Sequence, residues 1–121
     1  MKVFILFFLF VLMVFLVELT MTTRVTLTWN AYTPATNIDI MAYCGVGLPA
    51  GGAFTPAMEV GAVPADETSV SFFMTLKPSD QVTCAVRAYD AIADSYSDFS
   101  ARVVYTVPLA VPAKVTIQVS P

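Results

Sequence analysis

The sequence predicts an all-β fold, a two-sheet antiparallel sandwich preceded by one N-terminal hydrophobic helix. Three observations predict it. Apolar residues fall on alternate positions in several short segments, most clearly Val82, Cys84, Val86 and Ala88, the period of a strand with one buried and one wetter face. Turn-forming residues separate these segments, as Pro78, Ser79 and Asp80 do just before that strand. Of the 121 residues the first twenty or so are an apolar leader, which leaves about 100, the usual size of one sandwich and enough for one core.

Composition narrows the function classes. Hydrophobic residues make up 57% of the chain, above the ~45–50% of ordinary soluble domains, and the leader accounts for much of the excess. Charged residues make up only 12%, about half the usual ~25%. Such a surface relies on Thr, Ser, Asn and Gln, a habit of secreted and surface-displayed β proteins. The net charge is −3 and the basic residues are scattered singly. A nucleic-acid partner needs a basic stripe to displace counterions, so nucleic acid is excluded. The chain has no His, which removes the commonest general base and metal ligand.

The leader, residues 1–23, begins with Lys2 followed by an unbroken apolar run over residues 3–17. A basic start and an apolar stretch are the layout of a secretory signal. As a helix the run spans ~22 Å, short of the ~30 Å hydrocarbon core. Extending it to Met21 buries Glu18, and Thr20 with Thr22 make a poor cleavage site. A removed signal peptide and a retained anchor, holding the chain to the membrane through residues 1–21, both remain open. Either way Lys2 stays cytoplasmic and the β domain is extracytoplasmic, secreted or anchored at the cell surface.

Residues 24–29 alternate strictly, with Val25, Leu27 and Trp29 on one face; the Trp is a core anchor because of its large apolar area. Residues 30–37 are a turn region. Residues 38–46 form the next strand, with Ile40, Ala42 and Cys44 facing one way and Met41 and Tyr43 the other. Residues 45–52 resemble a phosphate cradle only in their glycines, since no helix pattern and no Lys-Ser/Thr pair follows; they are a loop with positive-φ positions. Residues 55–60 are expected as a short edge strand, confined to the edge by Pro56. Residues 69–76 are a strand of open phase, with Val70, Phe72 and Met74 competing against Ser71 and Phe73 for the inside. Residues 99–107 are expected as the last strand of the domain.

Taken together, Trp29 ending a strand, Leu76-x-Pro78 before the central strand, the alternation from Val82 to Ala88, and Tyr96-Ser97-Asp98 entering the last strand resemble a fibronectin type III domain over residues 24–107. Two features depart from that family. Val82 stands where the family places a Tyr that makes a corner hydrogen bond, and no room exists for a first strand ahead of Trp29's. The resemblance implies that the strands carrying Cys44 and Cys84 are neighbours with both thiols facing inward, either bridged in an oxidising compartment or present as two buried free thiols.

Residues 108–112, bounded by Pro108 and Pro112, form a stiff linker. Residues 113–120 alternate again, with Val115, Ile117 and Val119 on one face, so the chain lacks a first strand and ends on a surplus one. The tail folds back on its own domain, lies disordered, or completes a neighbour's sheet. Folding back places it parallel to the strand of Trp29, a poorer pairing after so short a linker. Donation to a second copy keeps the antiparallel sense, making Val115, Ile117 and Val119 subunit contacts in a homo-oligomer or filament.

Asp90, Asp94 and Asp98 lie in one loop, but their spacing lacks the Gly and the terminal Glu of a calcium loop, so they are solvated charges. No catalytic residue, cofactor or metal site is expected. The expected function is a non-enzymatic exported structural or adhesive module that assembles through its tail. The alternative is a monomeric binding module holding a protein or carbohydrate through residues 33–37 and 90–97, with Asp90, Asp94 and Tyr96 as contacts.

Overall fold

A computed structural model describes residues 20–31 and 37–120; the expected N-terminal helix and most of the 33–37 loop lie outside them. The strands are β1 (Met21–Trp29), β2 (Ile38–Val46), β3 (Glu59–Pro64), β4 (Ser69–Leu76), β5 (Gln81–Asp90), β6 (Ser95–Tyr96), β7 (Val103–Thr106) and β8 (Lys114–Val119), with one 3-10 turn over Pro56–Met58. They form two sheets. One has the order β4-β1-β8; the other has the order β3-β2-β5-β6, with β7 also pairing with β5.

The alternation seen in the sequence becomes the interface between the sheets. Val25, Leu27 and Trp29 from β1 meet Ile40, Ala42 and Cys44 from β2 and Val82, Cys84 and Val86 from β5, all buried. The open phase of β4 resolves with Val70, Phe72 and Met74 packed against the core and Phe73 outside, 71% exposed. Gly61 marks where the sheets close at one edge: a Cβ there would stand 2.6 Å from Val70 Cγ2, so only a residue without a side chain fits unless Val70 moves.

Four expectations are corrected. Residues 55–60 are not one strand, because the Pro56–Met58 turn occupies half of them and β3 starts only at Glu59. Residues 99–107 are strand only over β7. Ahead of it, the Ser100 hydroxyl accepts the Val86 N–H at 3.0 Å and the Ser97 hydroxyl accepts the Ala88 N–H at 2.9 Å. Side-chain oxygens thus replace carbonyls, and the regular ladder lapses. The second face of β5 is not wet throughout: Thr83 and Ala85 are 4% and 0% exposed, and Ala85 lies opposite Tyr43, whose ring belongs to a cluster on that face.

The fourth correction concerns the tail. β8 pairs with β1 of its own chain in parallel, from Arg24 opposite Lys114 to Trp29 opposite Val119, so the sandwich is not wholly antiparallel. The short linker suffices because it does not reverse within one sheet. It leaves β7 at one end of the sandwich and crosses to the facing sheet, a gap of ~10 Å, whereas the seven residues 107–113 reach ~23 Å when extended. Thr23, fully buried, donates its hydroxyl to Pro112 O at 2.9 Å, and Arg24 N–H donates to Ala113 O at 2.9 Å, fixing where the crossover lands.

Candidate functional site

The sequence-predicted residues fall in three places. Cys44 and Cys84 stand directly opposite each other in the β2–β5 ladder, joined as a disulfide with Sγ–Sγ 2.09 Å and Cα–Cα 4.2 Å. That Cα separation is the close approach of a non-hydrogen-bonded antiparallel pair. Both residues are buried, at 4% and 0% exposure, so the bridge is part of the core. Val115, Ile117 and Val119 are likewise core residues, 7%, 4% and 0% exposed. Their apolar faces are spent inside their own chain, so offering them to a neighbour as subunit contacts would first require β8 to leave β1.

Asp90, Asp94 and Tyr96 do come together, in the hairpin between β5 and β6. Asp90 Oδ1 accepts the N–H groups of Ile92 and Ala93 at 3.0 and 3.1 Å, an Asx-type turn that uses the carboxylate structurally. Asp94 has φ 49°, the left-handed region that Asp tolerates better than most residues, and this aims its Oδ1 at the Tyr89 hydroxyl, which donates at 2.6 Å. That bond to a carboxylate is the chief reason the Tyr89 hydroxyl is held above its ordinary pKa, with slight desolvation and the charge of Asp94 adding to it. Asp98 points elsewhere, lining a small cavity with Arg87 and Ser100. Among the described residues no three potential ligands converge as a metal site.

Sequence reasoning missed the cluster beside this hairpin. On the outer face of the five-stranded sheet the Arg87 guanidinium lies 3.8 Å from the Tyr96 ring centre, 4.6 Å from that of Phe99 and 5.0 Å from that of Tyr43. Its Nη2 donates to the Tyr43 hydroxyl at 2.9 Å, while Nε is buried without a partner among the described residues. Phe99 meets Tyr43 edge-on at 5.1 Å and Phe54 at 5.1 Å; Arg102 covers Phe54 at 4.7 Å. Each such contact is worth ~0.5–2 kcal/mol where water is excluded. Tyr43 and Arg87 share the outward phase of neighbouring strands, which was a readable signal. Phe54 and Phe99 arrive from irregular segments and carry none.

The cavity under the lapse before β7 measures about 90 Å³, well below the ~300–1,000 Å³ of ordinary small-molecule sites. A wider groove of about 310 Å³ runs past Leu48, Gly51, Thr83, Arg102 and Val104. No family model matches the chain, and none of the curated proteins compared with it is similar.

Proposed function

We propose that this chain is an exported, non-enzymatic adhesive module with a fibronectin type III-like sandwich, acting as a single-chain unit and presenting its β5–β6 hairpin to a protein or carbohydrate. One observation carries the reading: the hairpin stands at the opposite end of the sandwich from Met21, where the apolar leader joins. β1 runs from Met21 away to Trp29, and β5 returns to the same far end at Asp90, opposite Ile38. An element held at its start would project that hairpin outward, with Ile92 79% and Tyr96 51% exposed. The Tyr ring is an amphipathic contact of the kind binding surfaces favour.

Three further features support the reading. The core disulfide suits an oxidising compartment. The sequence has no His, and the carboxylates of the hairpin are committed to its turn and to Tyr89, which leaves no free acid–base pair there. The likeness to fibronectin type III rests on the adjacency of β2 and β5 and on the place beside β1, where the family's first strand runs and β8 runs here in the opposite sense.

The test is a protease and thiol assay on cells making the full chain. A carboxyl-terminal tag exposed to external protease, with Cys44 and Cys84 resistant to alkylation until reduced, is the expected result. A protected tag, or two thiols alkylated without reduction, overturns it.

A further inference from the structure

Charge is divided along the long axis of the sandwich. Arg24, Lys77 and Lys114 are exposed at the end where β1 begins. Asp39, Asp66, Glu67, Asp90 and Asp94 lie at the other end, where Arg87, its guanidinium laid 3.8 Å from the Tyr96 ring centre, is the one cation among the described residues. Arg24 and Lys114 are direct register partners on the outer face of the three-stranded sheet. Arg24's partner on the other side is Phe73, 71% exposed. Like charges set side by side on a strand pair repel, so the pair favours an anion resting on it. Among the described residues the acids nearest this end, Asp80 and Glu59, belong to the side of the five-stranded sheet, and Asp80 accepts the Lys77 backbone N–H at 3.1 Å.

Leu109, in the crossover between β7 and β8 at this same end, is 90% exposed, and Met21 is 43% exposed. The apolar run of the leader stops at Val17, four residues before Met21, so it ends within about 14 Å of this surface by chain length alone.

We propose that this end of the domain lies against an anionic lipid surface. Leu109 enters the interface beside the leader, the Phe73 ring lies at headgroup depth as aromatic side chains do, and Arg24, Lys77 and Lys114 face lipid phosphates. The inference rests on the reading that the leader holds the chain at a membrane. A second copy is the poorer occupant, because a two-fold contact would set Arg24 and Lys114 against themselves.

The test uses the full chain with its native bridge, reconstituted in vesicles of phosphatidylcholine with or without phosphatidylglycerol. A polarity-sensitive fluorophore is attached at Leu109→Cys, Phe73→Cys or, as a distal reference, Ile92→Cys. Labels at 109 and 73 should shift to the blue and be quenched by iodide about threefold less than the label at 92 in anionic vesicles. The shielding should weaken with salt and with the combined Arg24→Glu, Lys77→Glu and Lys114→Glu variant, while the chain still floats with the vesicles. A floating chain whose label at 109 is quenched as freely as that at 92 overturns the inference and leaves the membrane reading standing. A chain that does not float overturns both. Shielding in lipid-free detergent that grows with protein concentration assigns the surface to a second copy instead, and also overturns it.

Discussion

Two strand pairs hold the sandwich together in different ways. β2 and β5 are antiparallel, matched from Ile38–Asp90 to Val46–Val82, and carry the Cys44–Cys84 bridge within the ladder. β1 and β8 are parallel, matched from Arg24–Lys114 to Trp29–Val119, with no covalent tie. The first pair joins segments about forty residues apart. The second joins nearly the two ends of the described chain, so its loop-closure entropy is larger while each parallel residue pair is slightly weaker. The comparison shows that the covalent constraint sits where the ladder is already strong. The late strand must hold without a covalent tie, by the burial of Val115, Ile117 and Val119 and by its hydrogen bonds to β1.

The comparison breaks most sharply at Ile117. Replacing this 4%-exposed side chain by Asp sets an unpaired carboxylate opposite Leu27 in the core. The expected loss is about 4 kcal/mol or more in denaturant unfolding, with β8 cleaved by protease before the rest unfolds. Removing the bridge through Cys44→Ala and Cys84→Ala together should cost ~2–4 kcal/mol, because it frees a long loop in the unfolded chain. It should leave the β1–β8 contact in place, visible as unchanged protease resistance of the tail in the folded state. Thr23→Val sharpens the contrast at smaller scale. It deletes the hydroxyl that anchors Pro112 O, so about 1 kcal/mol is lost and nicking in residues 108–112 accelerates while exchange in β2 and β5 does not.

The smallest effect is at the far end of β5. Because the Asp94 carboxylate raises the Tyr89 pKa, the bond stabilises the folded state fully below the ordinary tyrosine pKa and is lost as pH climbs through the raised value. In a spectrophotometric titration Tyr89 should ionise above its ordinary value, and Asp94→Asn should bring it down.

What could be read beforehand follows from which signals are local. The alternations of β1 and β8 are set by each segment's own residues and, with β2, lie close to where the sequence predicts them. The exception is that β1 begins at Met21, within residues read as leader, because Met21–Thr23 pair with Leu76–Met74 of β4. β4 carries apolar side chains at both phases, and its register with β1, which sets Phe72 and Val70 opposite Val25 and Leu27 and Phe73 opposite Arg24, keeps Phe73 outside. The lapse before β7 is invisible in the apolar pattern because it depends on Ser97 and Ser100 reaching back to β5. The Arg87 cluster needs Phe54 and Phe99 from segments without periodicity. The parallel seat of β8 depends on which sheet the linker reaches, a property of the assembled sandwich rather than of residues 108–120.

The seating of that last strand is best tested by a crosslink between Thr28 and Gln118, whose side chains already meet at 2.9 Å. Thr28→Cys with Gln118→Cys, oxidised at low concentration in the full chain, should form a bridge within one chain, with no shift to dimer on a non-reducing gel. Bridges between chains, or two thiols that remain free beside an intact Cys44–Cys84 bond, would contradict it.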